Sequence, residues 1–236
     1  MHLQKYREFT DIGHLTEHYS REKSAGHYSN PNIDQTRLDE DRTNYAPTRY
    51  KKDKDGNVVR DENNNPVPLK QTEYIKQKIS EVMGEKRLRK DAVRMATWIV
   101  TVPPNLPPSK YDDFFAESYR FLVNRYSEKA GMTGEDICIS AYRHRSESAQ
   151  HLHFAFLPVL KRGDKQTFCA KDLINRRELH DCQVELAKYL ESKNICRVTD
   201  LLNGRTIRDS NGRAYSVKQL KMRSMERSIS YERGRF

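Results

Sequence analysis

The sequence lacks any apolar run approaching the roughly 20 residues that a membrane-spanning helix needs. Its first residues, MHLQKYREFTDIG, contain no apolar core of a secretory signal, so we expect an intracellular, cytoplasmic protein. The four cysteines show no C-x-x-C spacing, which argues against a zinc finger and favours free, buried thiols. Internal repeats are also missing, so a solenoid is excluded.

Acidic residues are outnumbered by basic ones in this chain of 236 residues. Lys and Arg total 43 against 33 Asp and Glu, which gives a formal net charge of +10. Hydrophobic residues make up only 36%. The length suits one sizeable domain or a domain with an extension. The basic excess favours a polyanionic partner, most often nucleic acid.

Hydrophobic periodicity predicts alternating strands and helices over residues 1–200. The predicted strands are His2–Phe9, Met95–Val102, Asp136–Tyr142 and His151–Leu157. The predicted helices are Asp11–Lys23, Thr72–Met83, Ser109–Lys129 and Arg176–Ser192. Turn signals predict an exposed hairpin insertion near residues 47–69. In residues 201–236 we expect a hairpin at Asn211-Gly212 and a basic extension leading to a region absent from this sequence.

The stretch from Tyr142 to Pro158, YRHRSESAQHLHFAFLP, carries the densest set of potential metal ligands. Alternate residues of a strand share a face, so His151 and His153 should point the same way. His144, from the preceding turn, would complete a three-histidine pocket for a divalent ion, with Glu147 nearby. The alternative is a histidine-rich strand edge that binds no metal.

Three segments of the chain share their order and rough spacing with one known family. The first is H-x-x-R at His18 to Arg21, followed by S-N-P-N-I-D-x-x-R and Asn44-Tyr45. The second is R-K-D-A-V at Arg89 to Val93, and the third is H-x-x-E-x-x-x-H-x-H at His144 to His153. Over about residues 1 to 195 the chain thereby resembles the MobV-type (Mob/Pre) plasmid mobilisation relaxases of the HUH endonuclease class. It departs from them where Ser146 replaces the usual Asp and Gln150 the usual Pro.

The resemblance implies an α+β relaxase fold, a central antiparallel β-sheet flanked by helices. It also implies nicking and rejoining of one DNA strand at a transfer origin through a covalent 5′-phospho-enzyme, with Mn²⁺ or Mg²⁺ as cofactor. His144, His151 and His153 would bind the metal, while Glu147 would be a further ligand or the group that orients and deprotonates the nucleophile. The expected partners are single-stranded and hairpin DNA at a plasmid transfer origin and a coupling protein of a conjugation system.

The nucleophile implied by the resemblance is His18, and Tyr45 and Tyr19 are the alternatives. A neutral imidazole attacks at pH 7 without the cost of ionising a phenol whose pKa is about 10. The candidate DNA contacts are Arg21, Tyr28, Arg37, Asn44, Arg89 and Lys90.

Two other functions remain open at the level of sequence. The chain could be a DNA-binding module without catalysis, like a replication initiator that acts as a repressor. It could also be a metal-dependent nuclease that activates water and forms no covalent adduct.

Overall fold

A computed structural model of the protein describes residues 1–21, 30 and 32–202. The strands are β1 (His2–Tyr6), β2 (Met95–Thr101), β3 (Cys138–His144), β4 (His151–Phe156), β5 (Val159–Arg162) and β6 (Lys165–Phe168). The helices are α1 (Phe9–Ser20), α2 (Gln71–Met83), α3 (Tyr111–Ala130), α4 (Gly134–Ile137), α5 (Ala170–Leu173), α6 (Arg176–Ser192) and α7 (Val198–Leu202), with 3-10 turns at Gln35–Asp41 and Pro108–Lys110. The hairpin and basic tail predicted after Leu202 lie outside the described residues.

The centre of the fold is a four-stranded antiparallel sheet in the order β1-β2-β4-β3. β5 and β6 form a separate two-stranded hairpin. Every residue of β4 is buried, as expected for an inner strand covered on both faces. The expected α+β fold with a central antiparallel sheet and flanking helices is confirmed.

Each face of the sheet is covered by its own pair of helices. Helices α3 and α6 cover the face that carries Trp98, Phe154 and Phe156. Tyr126 of α3 stacks on Phe156 with ring centroids 4.2 Å apart, and its hydroxyl accepts a 2.6 Å hydrogen bond from Trp98 Nε1. We call this the α3 face. Helices α1 and α2 cover the opposite face, which we call the histidine face because the histidines of β4 point into it.

The outer edge of β3 is covered by the segment before the insertion. Asn44 bridges to Tyr142, and the Tyr45 amide donates to the Ala141 carbonyl at 2.9 Å. Further along, the Arg49 guanidinium donates to the Ile139 carbonyl at 3.1 Å. An edge strand closed in this way offers few free backbone groups to another chain.

Two element boundaries differ from the prediction at places that matter for the site. Helix α1 begins at Phe9 and gives way at Arg21, whose φ of 56° is left-handed and ends the helix. Strand β3 starts at Cys138 because a helical turn, capped by the Thr133 side chain, precedes it. The strand then continues to His144, which therefore lies on a strand and not in the predicted turn.

Residues 47–69 form three short extended segments joined by two turns, a more closed arrangement than the single hairpin predicted. The Lys51 amide donates to Val67, Val67 to Val59, and Val59 back to Lys51, each at 2.9 Å. This closed triangle of bonds satisfies the backbone groups of a segment that has little core of its own.

The cysteines match the expected free, buried thiols only in part. All four cysteines are free; Cys138 and Cys182 are buried, while Cys169 and Cys196 are partly exposed. No helix in the described part of the chain combines the length and the apolar character needed to cross a membrane.

Candidate metal centre

Strand register brings three histidines together on the histidine face. His144 of β3 pairs directly with His151 of β4, and Tyr142 pairs with His153. Directly opposed residues of an antiparallel pair share a face, so the three imidazoles converge at one end of the sheet. The last turn of α1 places His18 over the same end, with its ring centroid 5.0 Å from that of His144.

The imidazoles form one compact cluster that is largely removed from solvent. Ring centroids lie 4.5 Å apart for His151 and His153, and 4.6 Å apart for His144 and His153. These three residues are buried, whereas the side chain of His18 is 29% exposed. His18 is thus the imidazole of the cluster that a ligand can reach from outside.

Backbone carbonyls orient two of the buried rings. His151 Nδ1 lies 2.6 Å from the Ala149 carbonyl, and His144 Nε2 lies 3.1 Å from the Tyr19 carbonyl. A carbonyl only accepts, so these nitrogens carry protons, and Nε2 of His151 and Nδ1 of His144 face the cluster. The lone pair of His151 Nε2 then faces His153 Nε2 at 2.8 Å. Metal-binding histidines commonly donate their outer N–H to a carbonyl in this way.

Burial keeps the rings neutral. It is the largest cause that lowers the pKa of His18 to about 3 and that of His151 to about 4. The pKa of His153 falls well below its usual value for the same reason, and neighbouring imidazoles and Arg21 lower it further. At pH 7 these rings therefore have lone pairs available for a metal or for nucleophilic attack.

A carboxylate and a guanidinium complete the cluster. Glu147 Oε1 lies 2.8 Å from Arg21 Nη2, 3.3 Å from His144 Nδ1 and 3.5 Å from His18 Nε2. Arg21 Nη1 also lies 3.1 Å from His18 Nδ1. Burial raises the pKa of Glu147, but contacts with His144 and Arg21 and the nearby His151 lower it by more, so the group is ionised.

The donor set suits a divalent cation. Ligand atoms of His18, His144 and His153 lie within 4.8 Å of one another, and so do those of His144, Glu147 and His151. His153 Nδ1 is buried and has no hydrogen-bond partner among the described residues. Imidazoles suit first-row metals such as Zn²⁺ and Fe²⁺, and a carboxylate suits Mn²⁺ and Mg²⁺, so a set that combines the two can hold a divalent cation. The residues present fit the group that the sequence led us to expect.

Neither tyrosine considered as a nucleophile presents its phenol to this cluster. Tyr19 is buried and stacks on His153 with centroids 4.2 Å apart, while its hydroxyl donates to Thr97 Oγ1 at 3.3 Å. Burial raises the pKa of Tyr19 far above its usual value. Tyr45 stacks on Tyr119 of α3, with centroids 5.9 Å apart, and therefore lies on the opposite, α3 face. Burial raises its pKa as well.

Two of the predicted DNA contacts make local interactions close to β3. The exposed guanidinium of Arg37 pairs with both oxygens of Glu40, at 2.7 and 2.9 Å. The side-chain oxygen of Asn44 accepts from the amides of Ala141 and Ala46, at 2.8 and 3.1 Å. Asn44 thus holds the covering segment against the edge of the sheet.

Arg89 and Lys90 lie at the other end of the sheet from the histidines. They precede β2, whose first residues pair with the last residues of β4. The six residues of β4 separate the two ends by about 17 Å at strand spacing. Arg89 is exposed and paired with Asp91 at 2.8 Å. Tyr28 lies outside the described residues.

Asp41 is the feature of the site that sequence reasoning missed. It is completely buried and accepts hydrogen bonds from the amide and hydroxyl of Ser146 and from Arg21. It thus brings a carboxylate to the turn in which Ser146 replaces the usual Asp of the family motif. Asp41 stands within the charged stretch LDEDR, where nothing distinguishes it from its solvated neighbours.

The comparisons with known proteins give the class to which this fold and site belong. A family model described as plasmid recombination enzyme (Mob_Pre) matches residues 48–197. The chain belongs to this plasmid recombination enzyme family, which confirms the resemblance found in the sequence.

Individual relatives agree with this assignment. A plasmid recombination enzyme from Bacillus sp is 27% identical over 232 residues, covering 96% of this chain and 46% of that protein. A type 1 plasmid recombination enzyme from Staphylococcus aureus is 26% identical over 114 residues, covering 47% of this chain and 26% of that protein. The chain spans about half or less of the length of these curated relatives.

Solved structures are similar over almost the whole chain. The relaxase domain of MobM (MOBV; Mob_Pre), bound to oriT DNA of plasmid pMV158 in a Mn-bound crystal form at pH 6.8, has a TM-score of 0.62 at 22% identity. The match covers 94% of this chain and 96% of that one. At such identity the likeness establishes the fold.

Proposed function

We propose that this chain is a plasmid mobilisation relaxase, which nicks and rejoins one strand at an origin of transfer in the presence of Mn²⁺ or Mg²⁺. The proposal rests on one observation. The accessible imidazole of His18, the Arg21 guanidinium and the Glu147 carboxylate meet beside three buried histidines. Membership of the plasmid recombination enzyme family supports it, and so do similar structures described as relaxase domains bound to oriT DNA.

His144, His151 and His153 are proposed to hold the metal, with Glu147 as a further ligand or as the base. The backbone bond of His151 fixes the tautomer that leaves its Nε2 lone pair inside the cluster, and that of His144 orients its ring. A divalent cation bound there supplies Lewis-acid polarisation of the scissile phosphate. Burial of His151 and His153 excludes water and keeps these two rings unprotonated.

His18 is proposed as the nucleophile. Its Nδ1 faces Arg21 at 3.1 Å, and its Nε2 faces Glu147 at 3.5 Å. A phosphate that reaches His18 from its exposed side would thus meet the Nδ1 lone pair, while the buried Arg21 orients the ring. As the N–P bond forms, the bond from phosphorus to the 3′ oxygen breaks, Glu147 accepts the Nε2 proton, and the leaving oxygen takes a proton from water. The product is a 5′-phospho-histidine and a free 3′ hydroxyl.

The proposed substrate is single-stranded DNA next to a hairpin at the transfer origin. Arg37, Arg89 and Lys90 are proposed as contacts for its backbone, and Tyr28 and Asn44 as contacts for its nucleotides. A coupling protein of a conjugation system is the further partner proposed, and the cytoplasm the proposed location.

Trapping of a covalent adduct tests the proposal. Purified protein would be mixed with labelled single-stranded origin DNA and Mn²⁺, denatured, and resolved by electrophoresis. We expect an acid-labile adduct that His18→Ala abolishes and the matched Tyr45→Phe retains. An acid-stable adduct lost only in Tyr45→Phe would disprove the choice of His18. Cleavage without any adduct would favour a nuclease that activates water, and DNA binding without cleavage would favour a non-catalytic module.

A further inference from the structure

Asp41 joins the end of α1 to the turn between β3 and β4. Its Oδ2 accepts from Arg21 Nε at 2.8 Å and lies 2.7 Å from Arg21 Nη2. Its Oδ1 accepts from the amides of Arg145 and Ser146, at 2.6 and 2.9 Å. The Ser146 hydroxyl donates to Oδ2 as well. A buried carboxylate with this many donors is fixed in position and cannot rotate to accommodate a different arrangement.

The two groups that Asp41 holds are the ones that flank His18. Arg21 Nη1 reaches His18 Nδ1 at 3.1 Å, and Nη2, which also contacts Asp41, reaches Glu147 Oε1 at 2.8 Å. Glu147 directly follows Ser146, whose amide Asp41 binds, so the same carboxylate also sets the start of the Glu147 backbone. Asp41 thus acts on His18 through these neighbours.

The backbone of Arg21 is strained at the residue whose side chain contacts Asp41. Its φ of 56° is a left-handed conformation that a residue with a side chain adopts at a cost. Glycine and asparagine are the usual residues at such a helix end. Arg21 nevertheless occupies this position, and its side chain and that of Asp41 are both fully buried, at 0% exposure. The ion pair with Asp41 makes this burial tolerable, since an unpaired buried guanidinium would be strongly unfavourable.

We propose that Asp41 is a positioning residue of the nicking site, which holds Arg21 and the 145–147 turn in the arrangement that attack by His18 requires. This inference rests on the proposed relaxase function. It assigns to the polar stretch between Gln35 and Arg42 a role in the rate of nicking that is separate from DNA binding.

Asp41→Asn is the decisive variant, because it keeps the shape but turns one oxygen into an NH₂ donor against the guanidinium. Asp39→Asn is the matched control, since Asp39 lies on the same helical turn, has an 88% exposed side chain and pairs with the exposed Arg42. Displacing a reacting group by about 1 Å can slow a reaction about 10²-fold. We therefore expect Asp41→Asn to lower the single-turnover nicking rate by roughly ten- to a hundredfold.

Three readouts separate positioning from general loss of structure. The oligonucleotide Kd and the Mn²⁺ affinity of Asp41→Asn should stay close to the parental values, measured by fluorescence anisotropy and calorimetry. In ¹H–¹⁵N spectra of the metal-free protein, the Arg21 Nε–H signal should be shielded from exchange in the parent and in Asp39→Asn, and exchange rapidly in Asp41→Asn. Asp41→Glu restores the charge at a longer reach, so its nicking rate should lie between those of the parent and Asp41→Asn.

The inference is overturned if Asp41→Asn nicks at the parental rate, or if its rate, DNA affinity and Mn²⁺ affinity fall together in proportion. Should Asp41→Asn fail to fold, Asp41→Glu decides: a parental rate in that variant overturns the inference, and a reduced rate with parental DNA affinity supports it. If the parent itself neither nicks nor forms an adduct, the proposed function fails. In that case the Arg21 Nε–H signal still shows whether Asp41 holds the guanidinium.

Discussion

Acidification should destabilise the metal-free protein well above the pH at which its carboxylates titrate. In an unfolded chain a histidine has a pKa of 6.5, whereas burial lowers the pKa of His18 to about 3 and that of His151 to about 4. The folded state therefore binds fewer protons than the unfolded state throughout this interval. The stability that these neutral histidines contribute is fully present above about pH 6.5 and is lost as the pH falls toward 4.

The magnitude follows from the two pKa values. At about pH 5 the unfolded histidine is almost wholly protonated and the buried one almost wholly neutral. Each residue therefore lowers the free energy of unfolding by about 2 kcal/mol relative to pH 7. The result hardly depends on the folded pKa once that value is near 4 or below. His18 and His151 together should thus remove about 4 kcal/mol, and His153 should add to the loss. This is a large share of a typical unfolding free energy of 5–15 kcal/mol.

Urea denaturation in chelating buffer at several pH values between about 7 and 5 measures the effect. His151→Gln should reduce the loss of unfolding free energy by about 2 kcal/mol. His180→Gln should leave it unchanged, because the His180 side chain is 76% exposed. A loss below about 1 kcal/mol in the parent, or the same loss in parent and His151→Gln, would refute the reasoning.

Other expectations concern the metal, the nucleic acid and the core. His153→Ala should weaken Mn²⁺ binding in calorimetry by more than the roughly 10- to 100-fold that loss of an outer-shell partner costs, and parental affinity would show that this residue is no ligand. Affinity for an origin oligonucleotide should fall roughly 10²-fold or more between 50 and 200 mM salt if about six phosphates are contacted, and a flat response would argue against a phosphate-binding surface. Tyr126→Phe should cost about 1–3 kcal/mol in thermal or urea unfolding, because the buried Trp98 Nε1 loses its acceptor at 2.6 Å. An unchanged stability in this variant would mean that the indole N–H finds another partner.

The sequence was informative where a short periodic pattern fixes geometry by itself. The two-residue spacing of His151 and His153 is enough to place both on one face of a strand. Their neighbours Phe154 and Phe156 favour that strand, and the structure has it from His151 to Phe156. The preceding strand was predicted over Asp136–Tyr142, although its start at Cys138 and its end at His144 were not.

Contacts between segments distant in the chain could not be predicted in the same way. Tyr45 lies next to Asn44 in sequence, yet the pairing of Asn44 with the edge of β3 directs the Tyr45 ring to the α3 face. Arg89 and Lys90 precede a central strand, but only the register of β2 against β4 shows which end of the sheet they occupy. Asp41 is 105 residues from Ser146, and its burial depends on both the 3-10 turn and the β3–β4 turn being in place.

The charges of the described site suggest the order in which its ligands can bind. Arg21 contributes one positive charge, while Asp41 and Glu147 contribute two negative charges within contact of it. These three side chains sum to one negative charge, although the whole chain carries +10. A phosphodiester entering this site alone would meet like charge in a poorly solvated place, where repulsion is strong. A divalent cation would reverse the sign of the site and make it attractive for phosphate. For the proposed relaxase, basic residues outside the site would therefore contact DNA without metal, but the scissile phosphate would enter only after the cation has bound.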